Sequence, residues 1–519
     1  MSVDLWKVEI MNVEQDPYDY VVVGGGVAGC VIAARLSENS DVRVLLLEAG
    51  PHERLAEMAI PTAWPSFIGS AADWGETIFE PETGREIPWP RGYGLGGSAN
   101  INGMVFLRGH RSDYDTWPKV GAKGWGYEDL LPFFKRCERT EGRDPAVRGT
   151  SGPLAVGPSN AKLSPALSPV VGAMLDAARE TGHPSSLDPT AGLDEGFGWH
   201  DLAIKGGQRR SAVDSYLVPA LRRPNLTVIA EAVVHRVLIE GERCVGVEYA
   251  RGGQLVRLRC AREVVLTSGA VGSAQLLLQS GIGPAAHLRQ VGVNVVLDLP
   301  GVGNNLQDHT LSTLVYRPTR DVPHCANGTG EASGLLRSDS ARERANLQIL
   351  MIGFPFHVRT LSGPDNGYTM ATSLMSPDSR GSVRLSSSTP GQTPVLKPEY
   401  FSDARDMQAM VAGLRLAREI GSAGALASWR AEEVLPGPGV TSDAELRAYV
   451  RDSFISYFHP AGTCRIGVDE MAVVDAELRV RGLSGLRVAD ASVMPVIVSA
   501  NTMAAVYGIA ERAASLIGD

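Results

Sequence analysis

The chain has 519 residues, 44% hydrophobic and 21% charged, with a net charge of −9. That length is too great for one compact core and predicts two or three domains. The composition excludes a disordered or membrane-embedded chain, and the acidic balance argues against a nucleic-acid partner.

Residues 1–16 carry Asp4, Glu9 and Glu14 but one lysine, with no long apolar core. They lack the features of a secretory signal, so a loose N-terminal extension is expected. No stretch is apolar for long enough to span a membrane. The cysteines Cys30, Cys137, Cys244, Cys260, Cys325 and Cys464 are dispersed, without a Cys-x-x-Cys pair. Reduced thiols in a cytoplasmic protein, with no metal site, are the expectation.

The first strong element is an apolar run, Tyr18 to Val23, ending in Gly24-Gly25-Gly26-Val27-Ala28-Gly29. A helical segment follows, and then a second apolar run, Val42 to Leu47, closed by Glu48. This is a β-α-β unit with a Gly-x-Gly-x-x-Gly turn and an acid at the tip of its second strand. Gly24 makes the tight turn, Gly26 admits a pyrophosphate, and Gly29 lets helix and strand approach. Glu48 is placed to accept a hydrogen bond from a ribose hydroxyl. The spacing predicts a Rossmann-type dinucleotide-binding domain.

Residues 61–90 hold Trp64, Trp74 and Trp89 without periodicity, and predict a long excursion over the surface or the cofactor. The small-residue run Arg91 to Gly103 predicts a packed loop against a flat ligand. Residues 145–207 are loop-rich apart from a helix near Pro169–Thr181. Strands are predicted at 226–229, 233–239, 245–249 and 263–267, a meander returning to the first sheet. A helix over 270–279 stops at Gly281 and Pro284. From about 310 to 460 the pattern changes. Strands at 347–354, 369–375 and 382–385 and a helix at 406–420 predict a second, α+β domain with its own antiparallel sheet. A strand at 485–490 and a helix at 501–517 return the chain to the first domain. The expected division is 17–160, 208–309 and 465–519 for cofactor binding, and 161–207 with 310–464 for substrate.

One of ten histidines stands in unusual company, in Phe458-His459-Pro460-Ala461-Gly462-Thr463. Composition alone leaves its role undecided, because histidine is often part-buried for structural reasons.

Several blocks together resemble the glucose-methanol-choline (GMC) flavoprotein oxidoreductases over nearly the whole chain. They are the Gly24–Gly29 turn with Glu48, Leu95-Gly96-Gly97-Ser98, Ser268-Gly269-Ala270 through Gly283, Gly301 to His309, and the His459 and Asn501 blocks. The resemblance implies FAD. By it, Gly24, Gly26 and Gly29 serve the pyrophosphate and Glu48 the ribose. Gly97, Ser98 and Asn102 lie along the isoalloxazine, and the Val233 backbone touches the adenine side. Asp490 and Ala491 lie near the pyrophosphate and ribityl chain, and Thr502 and Met503 near the ring. Some relatives attach FAD through a histidine where this chain has Ile101, so a dissociable flavin is expected. Tyr93 replaces a basic residue and Ala99-Asn100 replaces small hydroxyl residues, both departures from the family pattern.

The implied reaction is oxidation of an alcohol, with its hydride passing to flavin N5. His459 is the implied base and Asn501 the partner that hydrogen-bonds the substrate oxygen. Asn501 also suits the N-cap of the last helix. A polar primary alcohol is the expected substrate (sugar, amino-sugar, aryl or choline-like), with O2 or another electron acceptor. A hydroxynitrile-lyase-type enzyme on this fold, or a flavoprotein using the pocket otherwise, remains an alternative.

Overall fold

The computed structural model describes residues 17–158, 168–324, 327 and 330–518. The N-terminal extension, the expected junction near 160 and Cys325 lie outside the described residues. The other five cysteines are buried and unpaired.

Two sheets organise the molecule. The first is built around Tyr18–Val23, which pairs in parallel with Val44–Leu47 on one side and Glu263–Leu266 on the other. Leu226–Ile229 and Leu486–Val488 extend it in parallel at its two edges. Helices cover the faces of such a sheet, so its strands read as continuous apolar runs; Val44–Leu47 is buried at every position. The predicted meander is present as Val233–Glu240, Arg243–Arg251 and Gln254–Leu266. Its third strand begins at Gln254, ahead of the expected 263–267, and runs on into the parallel layer, while the expected first strand of the meander, Leu226–Ile229, lies instead beside Val44–Leu47. The C-terminal helix Met503–Gly518 packs on the helix Val27–Leu36 and on Tyr127–Cys137. The Arg35 guanidinium there meets the buried Glu511 carboxylate at 2.7 Å, and Tyr216 donates to the same carboxylate.

The second sheet is antiparallel. Its order is Arg430–Leu435, Thr310–Pro318, Tyr368–Leu374, Leu347–Ile352, Gly330–Leu336 and Gly196–Trp199, with Ile455–Ser456 pairing on Thr310–Leu311. Helices Pro169–Glu180 and Ala404–Ser422 cover one face. Leu347, Ile349 and Met351 point to that side, while Leu350 and Ile352 point to the other and line a cavity. The period-two alternation thus divides one strand between core and site.

The predicted strand 382–385 occurs as Gly381–Arg384 but belongs to a small separate sheet with Asn304–Leu306 and Val395–Lys397. Five strands of the large antiparallel sheet lack a clear signal in the sequence. Thr310–Pro318 is buried on both faces, and Gly330–Leu336 is built largely of small residues, so neither alternates.

Candidate active site

A cavity of about 420 Å³ runs between the two sheets. Of the residues singled out in the sequence, Gly24, Gly26, Glu48, Gly97, Ser98, Asn102, Val233, His459, Asp490, Ala491, Asn501, Thr502 and Met503 line it. Gly29 does not. A side chain there would begin 1.8 Å from the Gly24 carbonyl oxygen, so Gly29 serves the packing of helix on strand.

The Rossmann end of the cavity fits a dinucleotide. A side chain on Gly26 would meet nothing within 4 Å, leaving open space at the start of the first helix. No side chain caps that helix, so its first N–H groups are free for an anion. A second helix, Gly269–Gln279, starts at the same cavity. Backbone donors orient Glu48, among them Gly25 N at 2.7 Å on Oε2 and Gly50 N at 2.8 Å on Oε1, with Gly94 and Ala49 adding to them. Burial pushes the Glu48 carboxyl up, against the backbone donors. Asp490 spends its oxygens on Gly269 N, Ser273 Oγ and Ser492 N, and so fixes the second helix start and the turn at Ala491.

The glycine-rich loop is held from beneath. Arg209, buried, donates to the carbonyls of Met58, Ala99 and Asn102 and to Asn102 Oδ1. Burial pulls its guanidinium down to about 9. Asn102 in turn contacts Met503 Sδ at 3.2 Å.

At the other end stands His459. Its backbone N–H donates to Asp308 Oδ1 at 2.8 Å. Asp308 is buried and also accepts from Trp89 Nε1, Ser456 Oγ and the Tyr400 hydroxyl. The His459 ring is gripped at both nitrogens. Nε2 lies 3.2 Å from Asn501 Nδ2, and Nδ1 lies 2.9 Å from His309 Nδ1. Burial, with His309 second, drives its pKa well below the ordinary imidazole value. The imidazole is therefore neutral at pH 7, the form that can accept a proton. Asn501 lies just ahead of the helix that begins at Met503. Asp308, His309 and Arg209 carry no role in the sequence reading. Asp308 and His309 sit in the Asn-Leu-Gln-Asp-His block, which was the available signal; Arg209 had none.

The rest of this end is apolar. Leu311, Leu350, Ile352, Phe354 and Phe356 line it, with Tyr457 bridging to His459 at a ring separation of 4.5 Å. Trp64 from the long excursion closes on Phe356 at 5.9 Å.

A glycine-cradled dinucleotide end facing a gripped, neutral imidazole is the layout of a flavin-dependent oxidoreductase. The GMC oxidoreductase family patterns match residues 18–311 and 377–510. The chain belongs to the GMC oxidoreductases. Mitochondrial choline dehydrogenase of Homo sapiens is 39% identical over 97% of this chain and 90% of its own. The alcohol dehydrogenase [acceptor] of Pseudomonas putida is 37% identical over 96% and 95%. Pyridoxine 4-oxidase from Mesorbium loti superposes with a TM-score of 0.92 at 34% identity, covering 96% of this chain and 98% of that one. As a GMC oxidoreductase with these relatives, the chain is an FAD-dependent enzyme that oxidises an alcohol and passes the electrons to an acceptor. Among the described residues, no helix is long and apolar enough to cross a membrane.

Proposed function

We propose that this GMC oxidoreductase oxidises neutral primary alcohols with an apolar, aryl-type substituent to aldehydes, using His459 as base and a dissociable FAD. The observation that carries the substrate class is the lining beside His459: Leu311, Leu350, Ile352, Phe354 and Phe356 bear no charge and, Tyr457 apart, offer no hydrogen-bonding side chain. A polyol would leave hydroxyls unpaired there, at about 1–3 kcal/mol each. The preference moves accordingly from the polar alcohols expected from sequence to the aryl class.

Bound FAD supplies the two-electron acceptor for the carbon-bound hydrogen. Gly26, the two helix starts and Glu48 would hold its pyrophosphate and ribose; Gly97, Ser98, Asn102, Thr502 and Met503 would border its ring, Val233 and Ala491 its flanks. The chain's own groups handle the proton. Asn501 Nδ2 lies 3.2 Å from His459 Nε2 and donates to its lone pair. A substrate hydroxyl entering between them donates its proton to Nε2 and accepts from the Asn501 amide. As the proton moves to Nε2, the amide stays behind to stabilise the alkoxide character on oxygen. Residues 17–160, 208–309 and 465–519 form the cofactor part of this scheme and 161–207 with 310–464 the substrate part, a division that follows the two sheets.

A choline-like substrate is the competing reading, because Trp64, Phe354 and Phe356 offer clustered aromatic faces to a cation. An anaerobic panel of a benzylic alcohol, choline and a sugar alcohol, read by bleaching of the flavin absorbance, separates them. The benzylic alcohol is expected to bleach fastest; fastest bleaching by choline rejects the neutral aryl class. Turnover with no bleaching by any alcohol identifies a lyase. The base is tested by His459→Ala, expected to lower the bleaching rate by about 10²–10⁴ with FAD content intact.

A further inference from the structure

We propose that His309 is a positioning residue that fixes the tautomer of His459, accepting the Nδ1–H of that ring so that its Nε2 lone pair faces the substrate. The proposal rests on His459 being the base, and it is carried by a contact on the opposite edge of the ring from Asn501. Two imidazole Nδ1 atoms 2.9 Å apart share one proton: one ring donates and the other accepts. The outer contacts decide which. With the Asn501 amide assigned so that Nδ2 faces the ring and Oδ1 is buried without a partner, Nδ2 donates and His459 Nε2 carries the lone pair. The ring proton of His459 then sits on Nδ1, and His309 Nδ1 is the acceptor. His309 must therefore carry its own proton on Nε2. The backbone of Met375 and Val498 lies close to the His309 ring and favours its protonation without selecting a nitrogen, and His309 Nε2 itself is buried without a hydrogen-bond partner.

The geometry holds both rings in place. They meet nearly edge to face, 82° apart, with centroids 5.1 Å from one another. His309 has no exposed surface, and its neighbour Asp308 clamps the backbone of His459. Consecutive residues thus secure the main chain and the ring of the same base. Burial holds the His309 imidazole down at about 3, so it is neutral throughout the working range and serves as a lone-pair donor to the network. When the alcohol proton arrives at His459 Nε2, the ring becomes a cation with both nitrogens protonated. His309 Nδ1 continues to accept from Nδ1–H, and no proton leaves the pair. The arrangement does for this base what a carboxylate does for the histidine of a catalytic triad, without placing a negative charge in the apolar site.

The test uses the holoenzyme and two substitutions. Asn at position 309 can present its side-chain oxygen where the ring Nδ1 lies; Leu fills similar space without an acceptor. His309→Leu is expected to lower the anaerobic flavin-reduction rate about 100-fold with substrate Kd changed less than threefold. His309→Asn is expected to recover most of that loss. Equal loss in both variants, or none in His309→Leu, overturns the proposal. Should the Leu variant not fold, ring-¹⁵N-histidine NMR of the unsubstituted enzyme decides independently. The signal removed by His459→Gln should show protonated Nδ1 and unprotonated Nε2; the opposite tautomer overturns the proposal. An active His459→Ala enzyme would instead remove the base assignment, while the tautomer measurement still stands.

Discussion

The Gly24 carbonyl oxygen occupies the space where a side chain on Gly29 would begin, at 1.8 Å, whereas Gly26, between them, faces open cavity. The three glycines of one turn therefore have separable physical roles. Gly29→Ala forces helix and strand apart and is expected to cost on the order of 3 kcal/mol of stability and to abolish FAD retention. Gly26→Ala meets no atom within 4 Å and should leave the melting temperature of the apoprotein unchanged. It places a methyl group where a pyrophosphate would lie, so FAD affinity should fall at least tenfold. Thermal melts of apoprotein with flavin titration check both; equal melting temperatures for the two variants contradict the assignment.

The acid limb of kcat/KM is expected well below pH 6.5. Burial and the neighbouring His309 disfavour the charged form of His459. A base with a lowered pKa stays neutral, and active, as pH falls through 6.5, and loses activity only further down. A pH profile with an inflection at or above 6.5 would show that the ring is less desolvated than its surroundings indicate.

Arg209 ties the glycine-rich loop to the residues beneath it through three carbonyls. Arg209→Met leaves those carbonyls unpaired in the interior, at about 1–3 kcal/mol each. Weaker FAD binding and a melting temperature lower by several degrees should follow. Lys at the same place lacks the planar fork and should rescue little. Wild-type FAD affinity in Arg209→Met means the loop holds its shape without the clamp.

Phe356 packs between Trp64 and Phe354 at the apolar end. Phe356→Ala is expected to raise KM for a benzylic alcohol about tenfold, with kcat changed less, because the lost contact serves substrate and transition state alike. Steady-state kinetics on benzylic and straight-chain alcohols measure this; a fall in kcat alone would place Phe356 in the chemical step.

Ile101 stands where some relatives carry the histidine that bonds the flavin. It is largely buried and contributes to the apolar cluster of Met58, Phe67 and Ala72. Acid precipitation should therefore release all the flavin to the supernatant and leave a colourless pellet. A yellow pellet means attachment through another residue.

Much of this protein is local in origin, and that part was legible in the chain. The Gly24–Gly29 turn, Glu48 at its strand tip and the apolar run Val44–Leu47 are set by short-range backbone sterics and by burial on both faces. So is the helix Ala404–Ser422, capped by Asp403 through Arg405 N. The resemblance then supplied His459 and Asn501 as a pair. Tertiary structure alone decided the contact between His309 and His459, which lie 150 residues apart, and the Arg209 clamp 107 residues from Asn102. It also decided which face of Leu347–Ile352 lines the cavity. A lone buried histidine or arginine has no periodicity and no local partner, so its role exists only once folding has brought its neighbours to it.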